Sequence, residues 1–323
     1  MRILAKLGRG EARAIALTVS STLLIVSATF KQPAQFNLLK HKHFAKLKIV
    51  LSLRIKPPLI MPNYFDLNRQ FWNHRAEQHY NSKFYDNDSF LAGRNPLNAI
   101  EMTILGNDLS GQKALHLMCH FGQDTLALER LGAEATGVDL SDTAIEKAQD
   151  LRERAGLKAR FIRANVLEAD QYLDEQFDLV FSSYGAIGWL PELERWGQVI
   201  SHFLKPGGRF VFAEFHPVVW MYDDDFTHFK YPYFNLESFV EESQGSYAAP
   251  DDGKSHTSAY WNHSLADVFQ ALLNAGLTVT HFSEYDYSPY DCFNLTVPCP
   301  GGYQIKGHEG KMPMVFALEA KKN

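Results

Sequence analysis

The chain has 323 residues, 46% of them apolar and 21% charged, which is enough for a large core and excludes disorder or a collagen repeat. Its net charge of −5 hides an asymmetry: residues 1–60 hold 11 Lys and Arg against one acid, Glu11, while the other 263 carry 21 basic and 36 acidic residues. An acidic body is a poor polyanion binder, so nucleic acid is not expected as a partner, and three cysteines without a close pair fit a reducing, cytoplasmic setting better than a disulfide framework or zinc ribbon.

Residues 14–30 are uncharged and follow Arg2, Lys6, Arg9 and Arg13, as in a secretory leader, but six of the 17 are Ser or Thr. Three readings stand: an extension upstream of a start at Met61, a targeting segment, or a membrane anchor at the short limit for a span. No stable membrane association is expected unless 14–30 is that anchor. The expected organisation is a basic extension over 1–60, a helical lid over 61–112, and an α/β domain over 113–323 with an insertion at about 216–263.

From residue 113, short apolar runs alternate with helix-period segments, the mark of βαβ units and a mostly parallel sheet. Strands are predicted at 113–119, 133–140, 159–166 and 177–184. After Pro206, Gly207 and Gly208 turn the chain, a fifth is expected at 209–215. Helices are predicted from 123 to Gly132, from a Ser141 cap to Gly156, over 192–204, and over 264–276 behind a Ser264/Asp267 capping box. Strands at 277–285 and 312–320 are expected to finish the sheet as a hairpin.

Ligands of such sheets sit beyond the carboxyl ends of the strands. After strand one, "CHFGQDT" turns through Gly122 into a helix start whose free N–H groups suit an anionic group such as a carboxylate. Asp139, at the end of strand two, can accept from both hydroxyls of a ribose. Asn165, after strand three, can serve an adenine edge, and "SSYGAIGW" after strand four offers hydroxyls and aromatic rings. His116 and Cys119 read as core residues, Asp223, Asp224 and Asp225 as a solvated loop, and no metal site is expected.

The segments "ALHLMCHFGQDTLALERLGAEATGVDLSDTAIEKAQ", "FDLVFSSYGAIGWL" and "FLKPGGRFVFAEFHP" resemble class I S-adenosylmethionine-dependent methyltransferases, in particular a branch with a "LHLxCHFGxDTL" first motif. The resemblance covers roughly 65–322. It implies a Rossmann-like, doubly wound, mostly parallel sheet of about seven strands with a terminal antiparallel strand and helices on both faces. It also implies S-adenosylmethionine as cofactor, with Met118, Cys119, His120 and Gly122 around the methionine part. Asp139 would sit on the ribose, Leu140 against the adenine, Asn165 and Val166 at its edge, and Ser182 and Tyr184 beside the methionine and sulfonium. The commoner pattern is hDhGxGxG, where h is apolar; here His116 replaces the acid, and Met118 and His120 replace the first two glycines.

The expected activity is direct in-line methyl transfer to a small molecule, with substrate contacts from 65–85 and 216–263. Trp72, Tyr80 and Tyr85 are the expected lid residues, with His216, Trp220 and His263 lining the substrate side; a general base, if used, is His216 beside Glu214. Two alternatives remain. A non-catalytic S-adenosylmethionine-binding protein would fit the missing glycines, while a nicotinamide-dependent oxidoreductase would want GxGxxG where "MCHFGQ" offers one glycine.

Overall fold

The computed structural model describes residues 63–323 apart from 236 and 250–252, together with the backbone of 13–19 and 22–28. The chain divides into two compact units, Met1–Pro57 and Pro58–Asn323. In the first, Arg13–Val19 and Thr22–Ala28 pair as an antiparallel hairpin. The remainder of 1–60, and the proposed start at Met61, lie outside the described residues. No helix among the described residues is long and apolar enough to cross a membrane.

The second unit is built on seven strands: β1 (Lys113–Leu117), β2 (Glu134–Asp139), β3 (Arg160–Arg163), β4 (Phe177–Ser183), β5 (Leu204–Phe215), β6 (Leu277–Tyr285) and β7 (Val315–Lys322). Their order in the sheet is β6-β7-β5-β4-β1-β2-β3. The pairs from β5 to β3 are parallel, and β7 runs antiparallel to both its neighbours. The chain steps outward from β1 to β3 and then returns to the other side of β1, so the direction of winding switches between β1 and β4. That is where an open α/β sheet leaves a crevice.

Alternation along the strands explains the layers. Leu115, Leu117, Val180, Phe210, Phe212 and Phe316 point to one face, where they bury Trp196 of α6 (Glu194–Phe203) and Leu272 of α7 (Leu265–Asn274). Ala114, Leu179, Phe181 and Val211 point to the other, against α4 (Gln123–Arg130) and α5 (Asp142–Ala155). α5 starts and stops on the expected signals: Ser141 Oγ accepts from Ala144 N at 3.0 Å, and Gly156 takes φ 67° beyond its end. The capping box of α7 forms as expected.

One expected turn is absent. β5 already begins at Leu204, and Pro206–Gly208 is absorbed as an irregularity in its pairing with β4, where Phe177 faces Leu204 and Leu179 faces Arg209. Ahead of the sheet come α1 (Tyr64–Tyr80), α2 (Asn87–Leu91) and α3 (Ala99–Leu105). Between β5 and α7, Phe239–Ser243 and His256–Tyr260 form a separate hairpin. Asn68 of α1 holds that hairpin as a neighbouring strand would: its amide donates to Ala259 O at 2.8 Å and accepts from Ala259 N at 2.9 Å.

Candidate active site

The carboxyl ends of β1 to β5 open into one cavity of about 640 Å³. Its inner wall starts where β1 ends. Met118 (φ 59°) and His120 (φ 50°) both take the left-handed conformation, followed by Gly122 (φ 78°). A side chain in that conformation costs about 1–2 kcal/mol, which is why the commoner pattern places glycine at the first two positions. Here two side chains are carried into the wall at that cost. Gly122 has no such freedom, since a Cβ there would lie 2.5 Å from the Phe161 ring.

Asp139, at the tip of β2, ties this loop down. One carboxylate oxygen accepts from His120 N and the other from Ser141 N, each at 2.8 Å. Each oxygen keeps a lone pair for another donor. Burial raises its pKa to about 6, so it is ionised at neutral pH. Leu140, Asn165 and Val166 continue the wall. Asn165 Oδ1 accepts from Leu167 N at 3.1 Å. His116 is buried with Nδ1 2.9 Å from Thr125 Oγ1 and its ring against Phe181; burial lowers its pKa to about 3. Cys119 is buried too, and its thiol is pushed well up by desolvation, so no thiolate nucleophile arises there.

The strongest unanticipated group is Asp124, in the first turn of α4. Its carboxylate lines the cavity and accepts from Ser183 Oγ at 3.1 Å, and burial raises its pKa to about 6. An acid two residues beyond Gly122, at a helix start where negative charge is favoured, was the available signal. Tyr184 also stands in the wall, its hydroxyl donating to Glu101 Oε2 of α3 at 2.8 Å. Ser182 does not: it is fully buried and its hydroxyl donates to Leu117 O between strands. The period of two turns Ser183, not Ser182, toward the cavity.

The outer wall comes from α1, the hairpin and the segment 290–294. Asn68, Trp72, Arg75 and His79 recur at the helical period and face inward. Trp72 meets Trp189 and His120 edge-on, at 5.1 and 5.3 Å between ring centroids. Tyr85 lines the cavity with its hydroxyl 2.8 Å from that of Tyr247.

Other expected residues lie elsewhere or are already engaged. Tyr80 turns away from the cavity, its hydroxyl bonded to Asp150 and Arg154. His216 is buried outside the wall, with Nε2 2.9 Å from Glu284 Oε1 and Nδ1 accepting from Val218 N, so it is not placed to act as a base. Glu214 lines the cavity, but its carboxylate accepts from the backbone N–H of Gly185, Ala186, Ile187 and Phe215; it holds the loop after β4. Both ring nitrogens of His263 are engaged, by Leu190 O and by Asn235. Trp220 borders the outer rim, half-exposed against Phe215 and Phe293. Among the described residues, no group of three or more His, Cys, Asp or Glu side chains could hold a metal ion.

Residues 114–208, which carry β1 to the start of β5 and most of the inner wall, match the methyltransferase domain family. The match spans less than a third of the chain and likens this segment to a methyltransferase domain. The chain is 25% identical over 187 residues to the uncharacterized methyltransferase YbaJ of Bacillus subtilis, covering 54% of this chain and 69% of that protein. It is 30% identical over 127 residues to the ribosomal protein L11 methyltransferase of Chromobacterium violaceum, covering 39% of this chain and only 40% of that relative's length. A putative S-adenosylmethionine dependent methyltransferase of known structure from Listeria monocytogenes superposes with a TM-score of 0.49 at 19% identity, over 69% of this chain and 95% of that one. The segment that matches the methyltransferase domain thus carries most of the inner wall, and the outer wall comes largely from segments before and after it.

Proposed function

We propose that the protein transfers the methyl group of S-adenosylmethionine to a small molecule held between the sheet and α1. The observation that carries this reading is that a single cavity joins the loops after β1 to β4 to the aromatic wall of α1 and the hairpin. Its volume suits one or two small ligands rather than a polymer.

On this reading the remaining lone pairs of Asp139 take the ribose hydroxyls. Leu140, Asn165 and Val166 flank the adenine, and Met118, Cys119, His120, Gly122 and Tyr184 surround the methionine end. Asp124, with Ser183 beside it, is the carboxylate for the ammonium of that end. Trp72, Tyr85 and Trp189 enclose the acceptor and keep water out, and their ring faces suit a cation. S-adenosylmethionine supplies the electrophilic methyl group, and the protein supplies orientation and a dry space. We place the reaction in a reducing compartment, in keeping with three free cysteines.

Calorimetry with S-adenosylmethionine tests the cofactor half, and saturable binding is expected; its absence would overturn the reading. A metabolite extract incubated with methyl-labelled cofactor and read by mass spectrometry tests the acceptor half. A labelled small molecule is expected, whereas binding without any labelled product would favour a binding-only protein.

A further inference from the structure

The first loop and α1 meet in a hydrogen-bonded pair of imidazoles. His79 Nδ1 lies 3.1 Å from His120 Nε2, and His79 Nε2 lies 2.9 Å from Ser246 Oγ of the insertion. The two rings stand at 87° to each other. His120 lines the cavity, its Nδ1 has no hydrogen-bond partner among the described residues, and that atom is not among the buried unpartnered ones. One end of the row is therefore open to the cavity, and the other ends on Ser246, a half-buried residue of the outer wall whose Oγ also accepts from Ala248 N and Ala249 N at 3.3 and 3.2 Å. Each of the three groups can donate or accept, so the direction of every bond in the row can invert together.

We propose that His120 is the general base of this site, taking the acceptor's proton at Nδ1 and passing one on through His79 and Ser246 to water. The proposal rests on the methyltransferase reading above. In the receiving arrangement, His120 Nε2–H donates to His79 Nδ1, and His79 Nε2–H donates to Ser246 Oγ. A proton arriving at His120 Nδ1 sends the Nε2 proton to His79; the His79 Nε2 proton then moves to Ser246 Oγ, whose own proton leaves to water. One proton enters and one leaves, and both rings end neutral in the opposite tautomer. In the transfer itself, the acceptor's lone pair forms the bond to the methyl carbon while the electrons of the breaking carbon–sulfur bond stay on sulfur.

The surroundings suit a base that is neutral beforehand. From α1, Arg75 faces His79, and its charge, after burial, helps hold His79 at about 3. Burial and His79 hold His120 well below its ordinary value. The first loop brings Cys119 and α4 brings Asp124, while Asp139 accepts from the His120 backbone N–H. The rings of Tyr85 and Tyr247 pack on His79, and burial keeps both phenols protonated. A sulfonium in the same cavity lowers the basicity of an imidazole further, and its conversion to a neutral thioether restores it. The base is thus weakest before transfer and strongest just after, when the proton is released.

The test needs no acceptor. Full-length protein carrying isotope-labelled histidine is titrated by NMR in its complexes with S-adenosylmethionine and with S-adenosylhomocysteine, with His120→Gln and His79→Gln assigning the resonances. The expected result is a His120 pKa higher by about one unit or more with S-adenosylhomocysteine. In His79→Gln, His120 is expected to titrate alone rather than jointly with its neighbour. Identical His120 titrations in two complexes that both form would overturn the base and leave the cofactor reading standing. If calorimetry shows that neither ligand binds, the cofactor reading falls, and the base with it.

Discussion

The inner and outer walls of the cavity are built differently. Backbone makes the inner one: strand ends, a loop with two strained side-chain positions, and buried carboxylates clamped by N–H groups, as in Asp139 and Glu214. Side chains from distant parts of the chain make the outer one, joined by single bonds such as Arg75 to Ser243 and Tyr85 to Tyr247. A wall fixed by a sheet opens only when the sheet does, whereas one held by a few side-chain bonds can open locally. On the proposed reading, cofactor binding belongs to the first kind of wall, and acceptor choice to the second.

Substitutions should separate the two walls. The largest effect is expected for Glu214→Ala, which leaves the N–H groups of Gly185, Ala186 and Ile187 without an acceptor; a loss of about 3 kcal/mol or more should appear in urea unfolding. Trp220→Ala on the outer rim should cost about 0.5 kcal/mol or less in the same assay. Next, Asp139→Ala should weaken S-adenosylmethionine binding by about 1.5–3 kcal/mol, roughly 10- to 150-fold by calorimetry, and an unchanged affinity would remove Asp139 from the ribose role.

The same contrast predicts a pH dependence. Asp139 and Asp124 both have pKa values raised to about 6, so they are charged above that pH and neutral below it. Cofactor affinity should be steady above pH 7 and fall as pH drops through 6; a flat profile from pH 5 to 8 would count against both carboxylates. Smaller still, Trp72→Ala should raise KM for the acceptor about tenfold while cofactor affinity stays within about twofold. Ser182→Ala should cost about 1 kcal/mol of stability through its lost bond to Leu117 O, with cofactor affinity unchanged.

Legibility in the sequence follows the same division. The strand and helix alternation from residue 113 and the capping signals at Ser141 and Ser264 predicted elements that form close to their expected bounds. Those signals are local, as is the position of Asp139 at a strand end. What stayed hidden depends on which way a side chain turns or on contacts far along the chain. Ser182 and Ser183 differ only by pleat, Tyr80 lies one position from His79 on α1 but faces Asp150, and His216 follows Glu214 by two yet turns to Glu284. The pairing of Asn68 with Ala259 spans 191 residues, and no local pattern announces it.

The position of β7 has a consequence for how this protein is made. β7 lies between β5 and β6, and Lys322 reaches across to Ser201 O and Leu204 O at the C-terminal end of α6. Nothing synthesised before residue 315 can take that place. A nascent chain can therefore assemble β1 to β5 while the edge of β5 stays bare and β6 has no seat. Until the final strand is threaded in, that edge is a template for foreign strands, and ribosome-bound intermediates of this protein should need shielding there.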